Sequence, residues 1–133
     1  MSEVIVLDTH ILLWLVNSNF DQFPSAWRDR FESAQRLGVS PLSCYEIAFA
    51  QKRGRLELTS SAEEWFQGAL TNAKIELLPI TPAIAARAVH LSPIHKDPFD
   101  RIIIATALEY RAKLASIDNL FSRSPELENC LME

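Results

Sequence analysis

Short extended runs alternate with capped helices along this chain, and that alternation leaves few folds open to it. Glu3 to Leu7 (EVIVL) is rich in β-branched residues and reads as a buried strand. Asp8-Thr9 then offers capping side chains ahead of the apolar run Ile11 to Val16, which predicts a helix. Pro24-Ser25 opens a second helix running toward Gly38, a natural stop. Val39-Ser40 is a short extended piece. Ser40-Pro41 then supplies the cap and first-turn proline of a helix closed by Gly54. Ser60 and Ser61, each three residues ahead of a glutamate, are overlapping capping-box candidates for a helix carrying Trp65, Phe66 and Leu70. Ile75 to Ile80 reads as a strand, and Thr81-Pro82 caps an alanine-rich helix to about His90. Asp97-Pro98 opens a long helix to about Lys113, and Leu114 to Ile117 is the last strand. Strands that alternate with helices pair in parallel. The expected fold is therefore α/β, a three-layer α/β/α sandwich around a central, mainly parallel sheet.

The 133 residues suit one domain, residues 1–133, and a hydrophobic content of 48% is enough for a packed core. No apolar run approaches the roughly 20 residues of a membrane span. Met1-Ser2-Glu3 lacks the basic start of a secretory signal. Cys44 and Cys130 lie far apart with no CxxC spacing, as in a reducing compartment. A cytoplasmic protein with no membrane partner is expected. The net charge of −4 argues against a broad basic footprint for nucleic acid. Placement matters more than the sum, because divalent ions held by an acidic site would cancel that charge locally.

In parallel α/β folds, ligands gather at the carboxyl ends of the strands. Asp8 and Asp118 both fall at such ends, although each also reads as a cap, Asp8 of a helix and Asp118 of a turn at Asn119-Leu120-Phe121. Glu46 lies beside the apolar stripe Leu42, Tyr45 and Phe49, and none of its helical neighbours is basic. Such a carboxylate either reaches water or meets something positive from elsewhere in the fold. Asp97 precedes Pro98 and reads as an N-cap. Asp100 is then either an acid favoured by the helix dipole or one entering the buried run Ile102 to Leu108, where a cation would compensate it. Hard divalent ions prefer carboxylate oxygen and water, and phosphodiester hydrolysis needs the activated water such ions provide.

Other chemistries find less support. His10, His90 and His95 lack zinc-ligand spacing with one another or with the cysteines. Gly38, Gly54 and Gly68 form no phosphate-cradling loop. Trp14, Trp27 and Trp65 stand on apolar helix faces and read as core or dimer contacts. No Ser-His-Asp or Cys-His set stands out.

Four segments carry a resemblance: LDTHILLWL from Leu7, SCYEIAF from Ser43, HKDPFDRIIIATAL from His95 and LASIDNLF from Leu114. In this order they resemble the motifs of PIN-domain ribonucleases, and most of all VapC-like toxins of type II toxin–antitoxin pairs. The resemblance spans Leu7 to Phe121, with the third segment the most specific. It implies an acidic pocket holding Mg²⁺ or Mn²⁺, endonucleolytic hydrolysis of RNA by a metal-activated water, a homodimer, and a small antitoxin partner. Asp8, Glu46 and Asp100 match the three central acids and Asp118 the fourth, with Ser116 where the family often has threonine. Asp97 matches an auxiliary acid, and Thr9 and Ser43 are placed to hydrogen-bond carboxylates or coordinated water. Apart from the resemblance, Lys52, Arg53 and Arg55 form a small basic cluster after the Glu46 helix that reads as solvated surface or as contacts to an RNA backbone. Arg101 reads as a local partner of Asp100 or a phosphate contact. A nuclease of this fold acting on DNA or in RNA processing, and a module that binds RNA or a partner without cleaving, are the alternatives.

Overall fold

A computed structural model of the protein describes residues 3–133. The reading of Met1-Ser2 at a leader-free start lies outside them. Strand β1 (Val4–Leu7) sets the architecture, because its side chains are divided between two cores. Ile5 and Leu7 join one apolar cluster, and Val6 joins another with Ile103, Ile104 and Leu114. A strand buried on both faces needs helices on both sides of its sheet.

Strands β2 (Arg36–Val39) and β4 (Lys113–Ala115) pair with β1 in parallel, and β3 (Glu76–Leu77) adds outside β2. The sheet order is β3-β2-β1-β4, with Val6 opposite both Gly38 and Leu114. Helices α1 (Thr9–Val16), α2 (Ala26–Ser33), α3 (Pro41–Lys52) and α4 (Ala62–Asn72) bury Ile11, Trp27, Ile47 and Phe66 against the Ile5 and Leu7 face. Helix α6 (Pro98–Glu109) covers the other face, and α5 (Pro82–Val89) packs Ile84 and Ala88 behind it on Ala105. This is the three-layer α/β/α arrangement the alternation implies. Ser40, Ser61, Thr81 and Asp97 each accept from a backbone N–H of the helix they precede. No helix among the described residues is long and apolar enough to cross a membrane.

Several expected boundaries move. The second helix stops at Ser33 instead of running toward Gly38, and Gly38 sits inside β2. Its role is close packing: a Cβ there would lie 2.6 Å from Leu78 Cδ1. The strand expected over Ile75 to Ile80 shortens to β3, because the ladder ends with Leu78 N–H donating to Val39 and Pro79 has no N–H to continue it. Helix α6 ends at Glu109, four residues short of Lys113. Arg111 adopts a positive φ of 52° to reverse the chain, and Lys113 already belongs to β4. That strand ends at Ala115, whose carbonyl accepts from Asp8 N–H at 3.0 Å; Ser116 then turns its side chain toward the same residue.

Candidate active site

Four carboxylates arrive at one end of the sheet by separate routes. Asp8 leaves β1 and caps α1, its Oδ1 accepting from Thr9 N–H at 2.8 Å. Its other oxygen, Oδ2, accepts from Ser116 Oγ at 2.8 Å. Ser116 Oγ also accepts from Asp118 N–H at 3.1 Å, so one buried hydroxyl ties the first acid to the segment bearing the last. Asp118 itself is exposed, and its Oδ1 accepts from Leu120 N–H at 2.9 Å.

Glu46 projects from α3 and is held by a second relay. Thr9 Oγ1 donates to Glu46 Oε1 at 2.6 Å and lies 2.9 Å from Ser43 Oγ. A hydroxyl has one proton. Since that of Thr9 goes to the carboxylate, Ser43 is the donor in the second bond. Thr9 and Ser43 are both buried, so the bond between their hydroxyls is shielded from water, whereas Glu46 is half-buried at the cleft. Helix α3 turns Ser43 and Ile47 inward. The apolar stripe beside Glu46 is turned outward at two of its positions: Tyr45 is 53% and Phe49 45% exposed.

Asp97 caps α6 through Phe99 N–H at 2.9 Å and is exposed. Asp100, one turn further on, is half-buried, and burial pushes its carboxyl up to about 7. Repulsion from Asp97, Asp8, Glu46 and Asp118 adds to that shift. Asp8 and Glu46 are also raised, again chiefly by burial; hydrogen bonds from Ser116 and Thr9, respectively, pull the other way. Asp100 therefore senses all four of the other acids.

His95 lies in the loop ahead of α6. The structure buries it at 2% exposure, stacked on Phe121 with ring centroids 5.0 Å apart. Neither ring nitrogen has a hydrogen-bond partner, and Nδ1 lies 3.9 Å from Asp100 Oδ2. Burial lowers its pKa and favours the neutral ring. No local pattern marks this position as buried, because Phe121 reaches it from a distant part of the chain.

Asp8, Glu46, Asp97, Asp100 and Asp118 all line a single cleft of about 950 Å³. Thr9, Arg53 and Arg55 line it too, whereas Ser43 and Ser116 support it from beneath and Lys52 is exposed outside it. Arg101 is the clear correction. Its guanidinium donates to the carbonyls of Ala88, Val89, Leu91, Ser92 and His95 at 2.7–3.1 Å, so no donor is left for a phosphate. Among the described residues, no three carboxylate, imidazole or thiol side chains are gathered tightly about one point. The donor set nevertheless fits a hard divalent ion. Its carboxylate oxygens repel one another, and ions such as Mg²⁺ take one or two protein carboxylates and complete their shell with water.

A parallel sheet with an acidic cleft at the carboxyl ends of its strands defines a class, and residues 5–127 match the PIN-domain family. The chain belongs to that family. It is 31% identical to Ribonuclease VapC22 of Mycobacterium tuberculosis over 115 residues, 86% of each chain. Among solved structures it resembles VapBC2 from Rickettsia felis bound to a promoter DNA fragment, with a TM-score of 0.68 and 17% identity over 98% of this chain and 97% of that one. DNA-bound VapBC from Salmonella typhimurium gives 0.65 and 18% over 96% of each chain. A toxin–antitoxin complex from Klebsiella pneumoniae gives 0.61 and 24% over 92% and 93%.

Proposed function

We propose that this PIN-domain chain is one nuclease domain that hydrolyses RNA phosphodiester bonds internally with Mg²⁺ or Mn²⁺, and that it is the toxin of a toxin–antitoxin pair. One observation carries the catalytic reading: acids from the end of β1, from α3, from the first turn of α6 and from the segment after β4 line the same cleft. Asp8, Glu46, Asp100 and Asp118 would hold the ion, directly or through water, with Asp97 at the rim. A bound divalent ion supplies a deprotonated water near neutral pH and offsets charge building on the phosphate. Ser116 orients Asp8, and the Ser43–Thr9 relay orients Glu46. Arg53 and Arg55, at the cleft, are the cations available to the RNA backbone.

The toxin role draws on the 31% identity to a VapC ribonuclease, and the antitoxin on structural likeness to VapBC complexes. A homodimer and a cytoplasmic location complete the reading; Cys44 and Cys130 are unpaired thiols, as a reducing compartment keeps them.

Cleavage of matched RNA and DNA oligonucleotides with Mg²⁺ or Mn²⁺ tests the activity. RNA is expected to be cut, and Asp8→Asn or Asp100→Asn to reduce the rate by at least ~100-fold. Unchanged turnover in a folded variant rejects the assignment, and preferential cutting of DNA rejects the substrate.

A further inference from the structure

We propose that Tyr45 and Phe49 form a stacking platform for one nucleobase of single-stranded RNA, next to the phosphate presented to Glu46. The proposal rests on the ribonuclease reading and deepens it by naming where a base lies.

Tyr45 and Phe49 stand four residues apart on α3, on either side of Glu46 in sequence, and both are exposed. Their rings are near-parallel, with an interplanar angle of 22° and centroids 6.1 Å apart. Phe99, from the first turn of α6, meets Tyr45 edge-on at 4.9 Å and 81°, which buttresses that ring against rotation. At the other end, the Arg53 guanidinium lies over the Phe49 ring, 4.5 Å from its centroid. These four side chains line the same cleft as Asp8 and Asp100.

Exposed aromatic rings on a helix forfeit burial, and nothing in α3 requires them, since Ser43 and Ile47 fill its inward face. Flat aromatic surface joined to a cation and continuous with a phosphate-processing site is how proteins hold single-stranded nucleic acid. Base faces stack on the rings while arginine meets the backbone. A duplex keeps its base faces within the stack, so the platform selects unpaired RNA. A protein partner would also cover apolar rings, but the flanking Arg53 and the continuity with the acidic cleft favour a polyanion that enters the cleft.

The test uses the full chain carrying Asp8→Asn, so that bound RNA is not consumed. Short single-stranded RNAs with 2-aminopurine walked through successive positions report stacking as fluorescence quenching, and anisotropy reports affinity. Quenching is expected at one position. It should be lost on adding Phe49→Ala or Tyr45→Ala, with affinity falling roughly 5- to 150-fold, and kept with Phe49→Trp. Quenching and affinity unchanged in the alanine variants would overturn the platform. So would failure of the parent to bind single-stranded RNA, or an alanine variant that changes only the oligomeric state in size-exclusion chromatography. Wild-type cleavage with Mn²⁺ is measured in parallel. Base stacking without cleavage would sink the nuclease reading alone.

Discussion

Ser116 Oγ donates to Asp8 Oδ2 at 2.8 Å across 108 residues of chain, and the same oxygen accepts from Asp118 N–H. A single buried hydroxyl thus orients one acid of the cleft and fixes the backbone that carries another. Groups that orient metal-binding carboxylates typically change metal affinity or activity by about 10- to 100-fold when removed. Ser116→Ala should weaken Mn²⁺ binding by that order, whereas Ser116→Thr, which keeps the hydroxyl, should retain most of it. Equal affinities for the alanine variant and the wild type would show that the bond does not matter to the site.

The raised carboxyl of Asp100 predicts a pH dependence. Its pKa moves from an ordinary 3.8 to about 7 on folding, so between those values the folded chain binds more protons than the unfolded one. Stability then falls as pH rises through that window, and the loss is complete above it. Asp8 and Glu46, also raised, act in the same direction. His95, Glu76 and Glu126, all lowered, pull the other way, so the Asp100 contribution is read as a difference. Without divalent ions, Asp100→Asn should gain melting temperature relative to the wild type as pH rises from about 4 to 7. Added Mn²⁺ should raise the melting temperature more at pH 8 than at pH 5.5, because the ion competes with protons. A difference between variant and wild type that stays constant across the window in the metal-free proteins would contradict the shared-acid picture.

Much of the scaffold is legible locally. Ser40, Ser61, Thr81 and Asp97 announce their helices because a cap is a short-range bond between a side chain and the next turn. The site is legible for a related reason: acids at the carboxyl ends of parallel strands share one edge of the sheet. What escapes is set by distant partners. Helical spacing shows a stripe on α3 but not which way it faces, and the sheet takes Ser43 and Ile47 and leaves Tyr45 and Phe49 outside. The acceptors of Arg101 are backbone carbonyls, which no residue identity reveals.

Gly38 shows the same limit in the core. Val6 opposes it in the sheet, and Leu78, itself 1% exposed, occupies the space a side chain would need. Gly38→Ala should destabilise the fold by about 1–3 kcal/mol, the usual cost of overpacking. Urea unfolding would measure it, and a neutral result would mean that Leu78 relaxes freely.

Arg101 ties the end of α5 to the segment that leads into α6 through five carbonyls, including that of His95, just ahead of Asp97 and Asp100. Arg101→Ala should cost about 2–4 kcal/mol of stability. Lysine should rescue little, lacking the planar fork that meets several acceptors at once. The salt dependence of RNA binding by folded variant should match the wild type. A shallower salt slope would return Arg101 to the phosphate-contacting surface.

The central claim is that Asp8, Glu46, Asp100 and Asp118 seat one or more divalent cations in their shared cleft. Calorimetric titration of Mn²⁺ into the wild type, Asp8→Asn, Glu46→Gln and Asp100→Asn tests it most directly. The account predicts saturable binding by the wild type and at least ~10-fold weaker binding by each variant, all four proteins remaining folded. Absence of saturable binding, or affinities that ignore the substitutions, would contradict it.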